Sequence, residues 1–107
     1  IARGALPAFA SALTLLEVLV VPFRTGNADL AAHYEALLTR SRGLTLVDLD
    51  RALLRDAARL RGTIGLKTPD ALQLAAAHRA GCTALLTNDR DFRGVTGIRV
   101  LQIKDYA

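Results

Sequence analysis

The chain has 107 residues, of which 51% are hydrophobic, and its 14 basic and 10 acidic side chains give a net charge of +4. This composition excludes a disordered chain, and the length suits one domain over residues 1–107 with a modest core. The basic balance suits a polyanionic partner such as nucleic acid, and the alternative is that an arginine-rich composition reflects genomic bias. The single cysteine, Cys82, forms no internal disulfide, which suits a reducing, cytoplasmic compartment.

The hydrophobic pattern predicts four strands and four helices, in the order strand, helix, helix, strand, helix, helix, strand, strand. We expect them near residues 7–10, 11–23, 28–42, 44–49, 50–61, 68–80, 82–86 and 98–103. The first helix is the most apolar, but it contains Glu17 and Pro22, so we expect a core helix and no membrane span. Strands separated by helices predict a mostly parallel sheet that is covered on both faces.

Local signals set the ends of three of these helices. Thr14 and Glu17 match a capping box, in which each side chain bonds the backbone amide of the other residue. Asp50 is predicted to cap the third helix and Thr68 the fourth. Gly81 is predicted to end the fourth helix, because glycine adopts the left-handed conformation without strain.

Four acidic residues are predicted at positions where a ligand site of a parallel sheet forms. Glu17 and Asp70 lie in predicted first turns of helices, and Asp89 and Asp91 follow a predicted strand. Each acid also has a structural explanation as a cap or turn residue. As a group, however, carboxylates repel one another unless a cation such as Mg²⁺ or Mn²⁺ binds between them. Such an ion activates water for the hydrolysis of a phosphodiester.

The sequence contains no motif for a competing chemistry. There is no glycine-rich phosphate loop, no Cys/His cluster for zinc and no Gly-x-Ser-x-Gly. His33 and His78 have no suitably spaced partner, so we expect them to be surface or packing residues. Lys67, Arg90 and Arg93 flank the acids and are either contacts to RNA phosphates or solvated loop charges.

Two C-terminal segments carry a resemblance to a known family. Residues 68–77, TPDALQLAAA, and 84–92, ALLTNDRDF, strongly resemble the PIN domain, in particular the VapC-type toxins of prokaryotic toxin–antitoxin pairs. Residues 11–19, SALTLLEVL, resemble the second acidic motif of that family, and residues 97–101, GIRVL, resemble its last strand. The resemblance covers nearly the whole chain.

The resemblance implies a three-layer PIN-like α/β domain and a metal-dependent endoribonuclease that uses Mg²⁺ or Mn²⁺. By position, Glu17, Asp70 and Asp89 match metal-binding acids of the family, and Asp91 matches an accessory acid. The resemblance also implies a homodimer and a cognate antitoxin that fills the active-site groove.

The sequence departs from the family at one position. The first acid of the family stands at the end of an N-terminal strand, and no residue here matches it. We therefore expect a PIN-like domain that lacks its first strand. One alternative is an impaired module that binds RNA or an antitoxin without cleaving RNA. A purely structural helical domain is a further alternative, but it leaves the placement of the acids unexplained.

Overall fold

The computed structural model describes residues 7–81, 84–87 and 97–105. Within them, four helices and four strands follow one another in the order predicted from the sequence. The elements are β1 (Ala8–Ser11), α1 (Ala12–Arg24), α2 (Ala28–Arg40), β2 (Leu44–Val47), α3 (Arg51–Ile64), α4 (Thr68–Ala80), β3 (Ala84–Thr87), β4 (Arg99–Gln102) and a closing 3-10 turn, Ile103–Asp105. None of the helices in these described ranges is both long enough and apolar enough to span a membrane.

The strands form one parallel sheet in the order β2-β1-β3-β4. Phe9 of β1 lies opposite Leu85 of β3, and this register aligns the ends of the strands. The last residues of the four strands therefore form one row, which we call the carboxyl edge: Val47, Ser11, Thr87 and Gln102.

Alternation along the two central strands builds a core on each face of the sheet. Phe9 and Leu85 pack with buried residues of α3 and α4, whereas Ala10 and Leu86 pack with residues of α1 and α2. All four side chains are fully buried. Because successive side chains of a strand point to opposite faces, each central strand contributes to both cores. The predicted three-layer α/β architecture is confirmed.

Two of the predicted helix ends are also confirmed. The Asp50 carboxylate accepts a hydrogen bond from the Leu53 amide at 2.9 Å and so caps α3. Gly81 follows α4 with φ of 67°, in the left-handed region expected of a glycine that ends a helix.

The two predicted hydroxyl caps are wrong. Helix α1 begins at Ala12, directly after β1, with Ser11 in the cap position and no side-chain cap bond. Thr14 therefore lies within the first turn, where its side chain faces the interior. Lys67 takes the cap position of α4, and the Thr68 hydroxyl accepts a hydrogen bond from the Arg61 guanidinium instead.

Candidate active site

The carboxyl edge of the sheet is polar where its two central strands end. Ser11 and Thr87 are almost completely buried, although both are hydroxyl residues. Each lies two residues beyond a core residue, Phe9 or Leu85, so both hydroxyl side chains face the layer of α3 and α4. The apolar strands therefore change to polar side chains at the edge where ligands of parallel sheets bind.

Three buried oxygen atoms near this edge have no hydrogen-bond partner within the part of the chain that the structure describes. They are Ser11 Oγ, Thr14 Oγ1 and Gln73 Oε1. A buried polar atom without a partner destabilises a fold by about 1–3 kcal/mol. Native proteins therefore supply such atoms with water, an ion or a ligand, and these oxygens mark a candidate binding site.

Asp70 lies where the sequence predicts it, in the first turn of α4, and its side chain is half-buried. Gln73 follows three residues later, so the two side chains lie on the same side of the helix, about 5–6 Å apart at Cβ. Only residues 81–83 separate α4 from β3, and α4 packs on β1 and β3. This short connection makes α4 run back over the sheet, with its first turn toward the carboxyl edge.

Glu17 lies one turn further along α1 than predicted, because the helix begins at Ala12 and has no acid in its first turn. The expectation of a first-turn position for Glu17 is therefore wrong. Ser11, Thr14 and Glu17 are spaced by three residues, which places them along one side of the start of α1. Glu17 is half-buried and lies three residues after Thr14, whose hydroxyl is one of the three oxygens named above.

The other predicted site residues divide into two groups. Lys67 is exposed at the start of α4, three residues before Asp70. Asp89, Asp91, Arg90 and Arg93 lie outside the described residues, so the convergence of all four acids stays a prediction. In residues 7–81, 84–87 and 97–105, no three His, Cys, Asp or Glu side chains form a group suited to a metal ion.

The donor atoms that the described residues offer are nevertheless suited to a hard divalent cation. Asp70 and Glu17 supply carboxylates, Ser11 and Thr14 supply hydroxyls, and Gln73 supplies an amide oxygen. Mg²⁺ and Mn²⁺ prefer oxygen ligands, whereas zinc prefers the nitrogen and sulfur ligands of His and Cys. The residues present therefore fit Mg²⁺ or Mn²⁺.

Sequence reasoning missed the buried polar residues of this site. The sequence pattern assigns Thr14 to a helix cap, and it places Ser11 and Gln73 only within segments that resemble the family. It predicts a site role for none of the three. The available signal was the position of Gln73 inside an apolar run, between Leu72 and Leu74. A polar residue at an interior position requires a partner, and that requirement points to a site.

The chain is similar to a known protein family and to a solved structure. The family model described as the PIN domain matches residues 1–98. A toxin–antitoxin complex from Klebsiella pneumoniae resembles the chain with a TM-score of 0.57 and 25% sequence identity. That match covers 85% of this chain and 69% of the other. No curated protein matches the chain.

Proposed function

The chain belongs to the PIN domain family, and from this membership we propose that it is a metal-dependent endoribonuclease. Its substrate is RNA, its cofactor is Mg²⁺ or Mn²⁺, and its cellular role is that of a VapC-type toxin. Residues 1–107 act as one nuclease domain. The lone Cys82 supports a reducing, cytoplasmic compartment.

The observation that carries the proposal is the position of Asp70. Its half-buried carboxylate lies in the first turn of α4, on the same side as the orphaned Gln73 oxygen. A carboxylate there interacts favourably with the positive end of the helix dipole, and its partial exposure leaves it accessible to a cation. The Gln73 oxygen is buried and accepts no hydrogen bond from any residue that the structure describes, so a bound ion or water would satisfy it.

The proposed roles follow from the chemistry of each side chain. Asp70 and Asp89 are the main metal ligands, Glu17 binds the metal through water or acts as the base, and Asp91 contributes less. When bound, Mg²⁺ or Mn²⁺ supplies an activated water and neutralises charge on the phosphodiester. Through hydrogen bonds, the hydroxyls of Ser11 and Thr14 orient water beside these acids.

We assign the RNA contacts nearest the site to basic residues that flank the acids. Lys67 is exposed three residues before Asp70, and Arg90 and Arg93 follow Asp89 in the sequence. Charges of this kind bind phosphates without reading sequence. They would therefore position RNA at the acids, while the choice of RNA depends on other contacts.

We also propose a cognate antitoxin and a second copy of the chain as protein partners. The toxin–antitoxin complex that resembles this chain supports the first. The second is supported by three exposed apolar side chains of α1, Leu16, Val20 and Phe23. Their spacing of four and three residues places them on one face of the helix, which we call the α1 apolar face.

The test is cleavage of RNA by the protein with Mn²⁺ and with EDTA. We expect cleavage only with Mn²⁺, and we expect Asp70→Asn to lower its rate at least about 100-fold. Loss of an outer-shell partner of a metal ligand alone already lowers activity or affinity about 10–100-fold. Asp29→Asn is the matched control, because Asp29 is an exposed first-turn acid of another helix, and it should cleave at the wild-type rate.

Three outcomes would contradict the mechanism. Cleavage in EDTA would show that the reaction needs no metal ion. Full activity of Asp70→Asn would show that Asp70 is not a main metal ligand. A wild-type protein that binds RNA but does not cleave it with Mn²⁺ would favour the alternative, a PIN-like module that binds RNA or an antitoxin without chemistry.

A further inference from the structure

Helix α3 presents a line of arginines to solvent. Arg51, Arg55 and Arg59 are exposed and follow one another at intervals of four residues. Four residues of helix advance about 6 Å, and the side chains turn by only about 40° at each step. The three guanidinium groups therefore form one stripe, about 12 Å long between its end Cα atoms, which we call the arginine stripe.

The fold itself gives no reason for this stripe. Like charges four residues apart destabilise a helix, and a cation in the first turn, as at Arg51, opposes the helix dipole. Asp56 pairs with Arg59 at 3.3 Å on the surface, which is worth little in stability. Within the part of the chain that the structure describes, Arg51 and Arg55 form no ion pair.

A groove beside the stripe adds further charged side chains to this surface, the cations Arg59 and Arg79 together with Asp56. It has a volume of about 410 Å³ and lies between α3 and α4, where Arg59 and Thr63 face His78 and Arg79. Arg79 is held in place by Asp50, whose carboxylate accepts a hydrogen bond from its Nη1 at 2.7 Å. One wall of the groove is thus fixed before any ligand arrives.

We propose that the arginine stripe and this groove bind the phosphate backbone of single-stranded RNA, outside the acidic site. The inference rests on the proposed function, because it takes RNA as the substrate. Regular cations along an extended line match the repeating charges of a nucleic-acid strand. Most of the other exposed residues around the stripe are small, namely Ala52, Ala58 and Gly62, and Leu54 is the large apolar side chain exposed beside them. The stripe therefore offers less apolar surface than the aromatic and apolar anchors typical of protein interfaces.

The stripe is separated from the acidic site by the width of α4. The groove uses Ala75, His78 and Arg79 of that helix. The mean direction of these three side chains lies about 160° around α4 from the mean direction of Asp70 and Gln73. The turn between α3 and α4, residues 65–67, joins the two regions near Asp70. A single RNA strand that passes round this turn can contact both the arginine stripe and the acidic site, whereas a very short RNA cannot. The stripe therefore adds affinity for long RNA.

The test measures binding without cleavage, in EDTA, so that it can be interpreted even if the protein is not a nuclease. The probe is a fluorescein-labelled oligouridylate of about 20 nucleotides, longer than the 4–16 nucleotides of typical single-strand sites. Fluorescence anisotropy over a range of salt concentrations gives the slope of log K against log salt. The variant is Arg51→Gln/Arg55→Gln/Arg59→Gln. Its matched control, Arg24→Gln/Arg40→Gln/Arg42→Gln, removes three exposed arginines from other segments.

We expect the stripe variant to bind more weakly and its salt slope to fall by about 2, because each phosphate contact on a single strand contributes about 0.7. The control should keep the wild-type slope. If both triple variants lost the same RNA affinity and salt slope, the effect would come from net charge alone, and the proposal would be overturned. Arg55→Glu, compared with Arg40→Glu, gives the same test through one reversed charge if a triple variant does not fold.

Two further results would also overturn it. One is a wild-type protein that does not bind the oligonucleotide. The other is a stripe variant that binds RNA normally but loses affinity for a labelled poly-glutamate peptide, which would assign the stripe to an acidic protein segment. Failure of the nuclease proposal would instead appear as absence of Mn²⁺-dependent cleavage, with the binding slopes unaffected.

Discussion

Asp50 joins two helices through one carboxylate. Its Oδ1 accepts from the Leu53 amide at 2.9 Å and its Oδ2 accepts from the Arg79 guanidinium at 2.7 Å. The hydrogen bond from Arg79, followed by that from Leu53, holds the pKa of Asp50 below its ordinary value of 3.8. The charged form of this residue therefore caps α3 and fixes the end of α4 beside the groove.

This pKa shift predicts the pH dependence of stability. A carboxyl whose pKa is lowered in the folded state stabilises the protein above the unfolded pKa and loses that contribution as pH falls through the folded value. The wild type should therefore lose stability below about pH 3.8. Asp50→Asn keeps a side chain that caps helices but has no charge to titrate, so its loss should be smaller.

The measurement is the urea midpoint of both proteins at about pH 6 and about pH 3. We expect the wild type to have a higher urea midpoint than Asp50→Asn at pH 6, and we expect this difference between the two midpoints to be smaller at pH 3. Asp56→Asn is the control, because Asp56 pairs on the surface with Arg59 but caps no helix. A difference that stays constant with pH would show that the charge of Asp50 does not stabilise the folded state.

At the scale of the helices, two glycines of α3 have opposite roles. Gly62 lies inside the helix, is exposed, and has open space where a Cβ would stand. Gly65 ends the helix with φ of 81°, and its amide donates to the Arg61 carbonyl. The sequence predicts that the third helix ends at residue 61, and this prediction is wrong. The helix continues to Ile64 because Gly65, and not Gly62, adopts the left-handed conformation that ends it.

The two glycines predict opposite responses to the same substitution. Gly62→Ala should raise the free energy of unfolding by about 0.5–1 kcal/mol, because alanine loses less backbone freedom in a helix. Gly65→Ala should lower it by about 1–2 kcal/mol, because a Cβ is strained at positive φ. Urea denaturation of both variants and the wild type measures these changes in the free energy of unfolding. A stabilised Gly65→Ala would mean that α3 does not end there.

At the scale of the whole molecule, local patterns predict the elements better than the contacts between them. The run from Thr68 to Gly81 predicts α4 and its end, because helix signals are local. The same kind of signal predicts caps at Thr14 and Thr68, and both fail. A hydroxyl near a helix start has the same sequence signature whether it caps the helix or turns inward, and the choice depends on packing against distant strands.

The candidate site has the same limit. The position of Asp70 in a first turn follows from the sequence next to it. The burial of Ser11 and Gln73 follows instead from the pairing of β1 with β3 and from the packing of α4 over both strands. The hydrophobic periodicity of a single segment cannot predict these contacts, because they join segments that are distant in the sequence. Residues of a site that lie on separate elements can be proposed from motifs, but their proximity is a property of the fold.

The α1 apolar face predicts the state of assembly. Leu16 is 63% exposed and Phe23 66% exposed, on a helix whose other side packs in the core. Contiguous apolar surface of this kind marks interaction sites on soluble proteins, and a face used by two copies is self-complementary about a two-fold axis.

Sedimentation velocity should therefore give a dimer for the wild type and a monomer for Leu16→Ser/Phe23→Ser. Ile64→Ser is the matched control, because Ile64 is also 63% exposed but lies on α3, and it should remain dimeric. A monomeric wild type, or a control that dissociates equally, would remove α1 as the dimer surface.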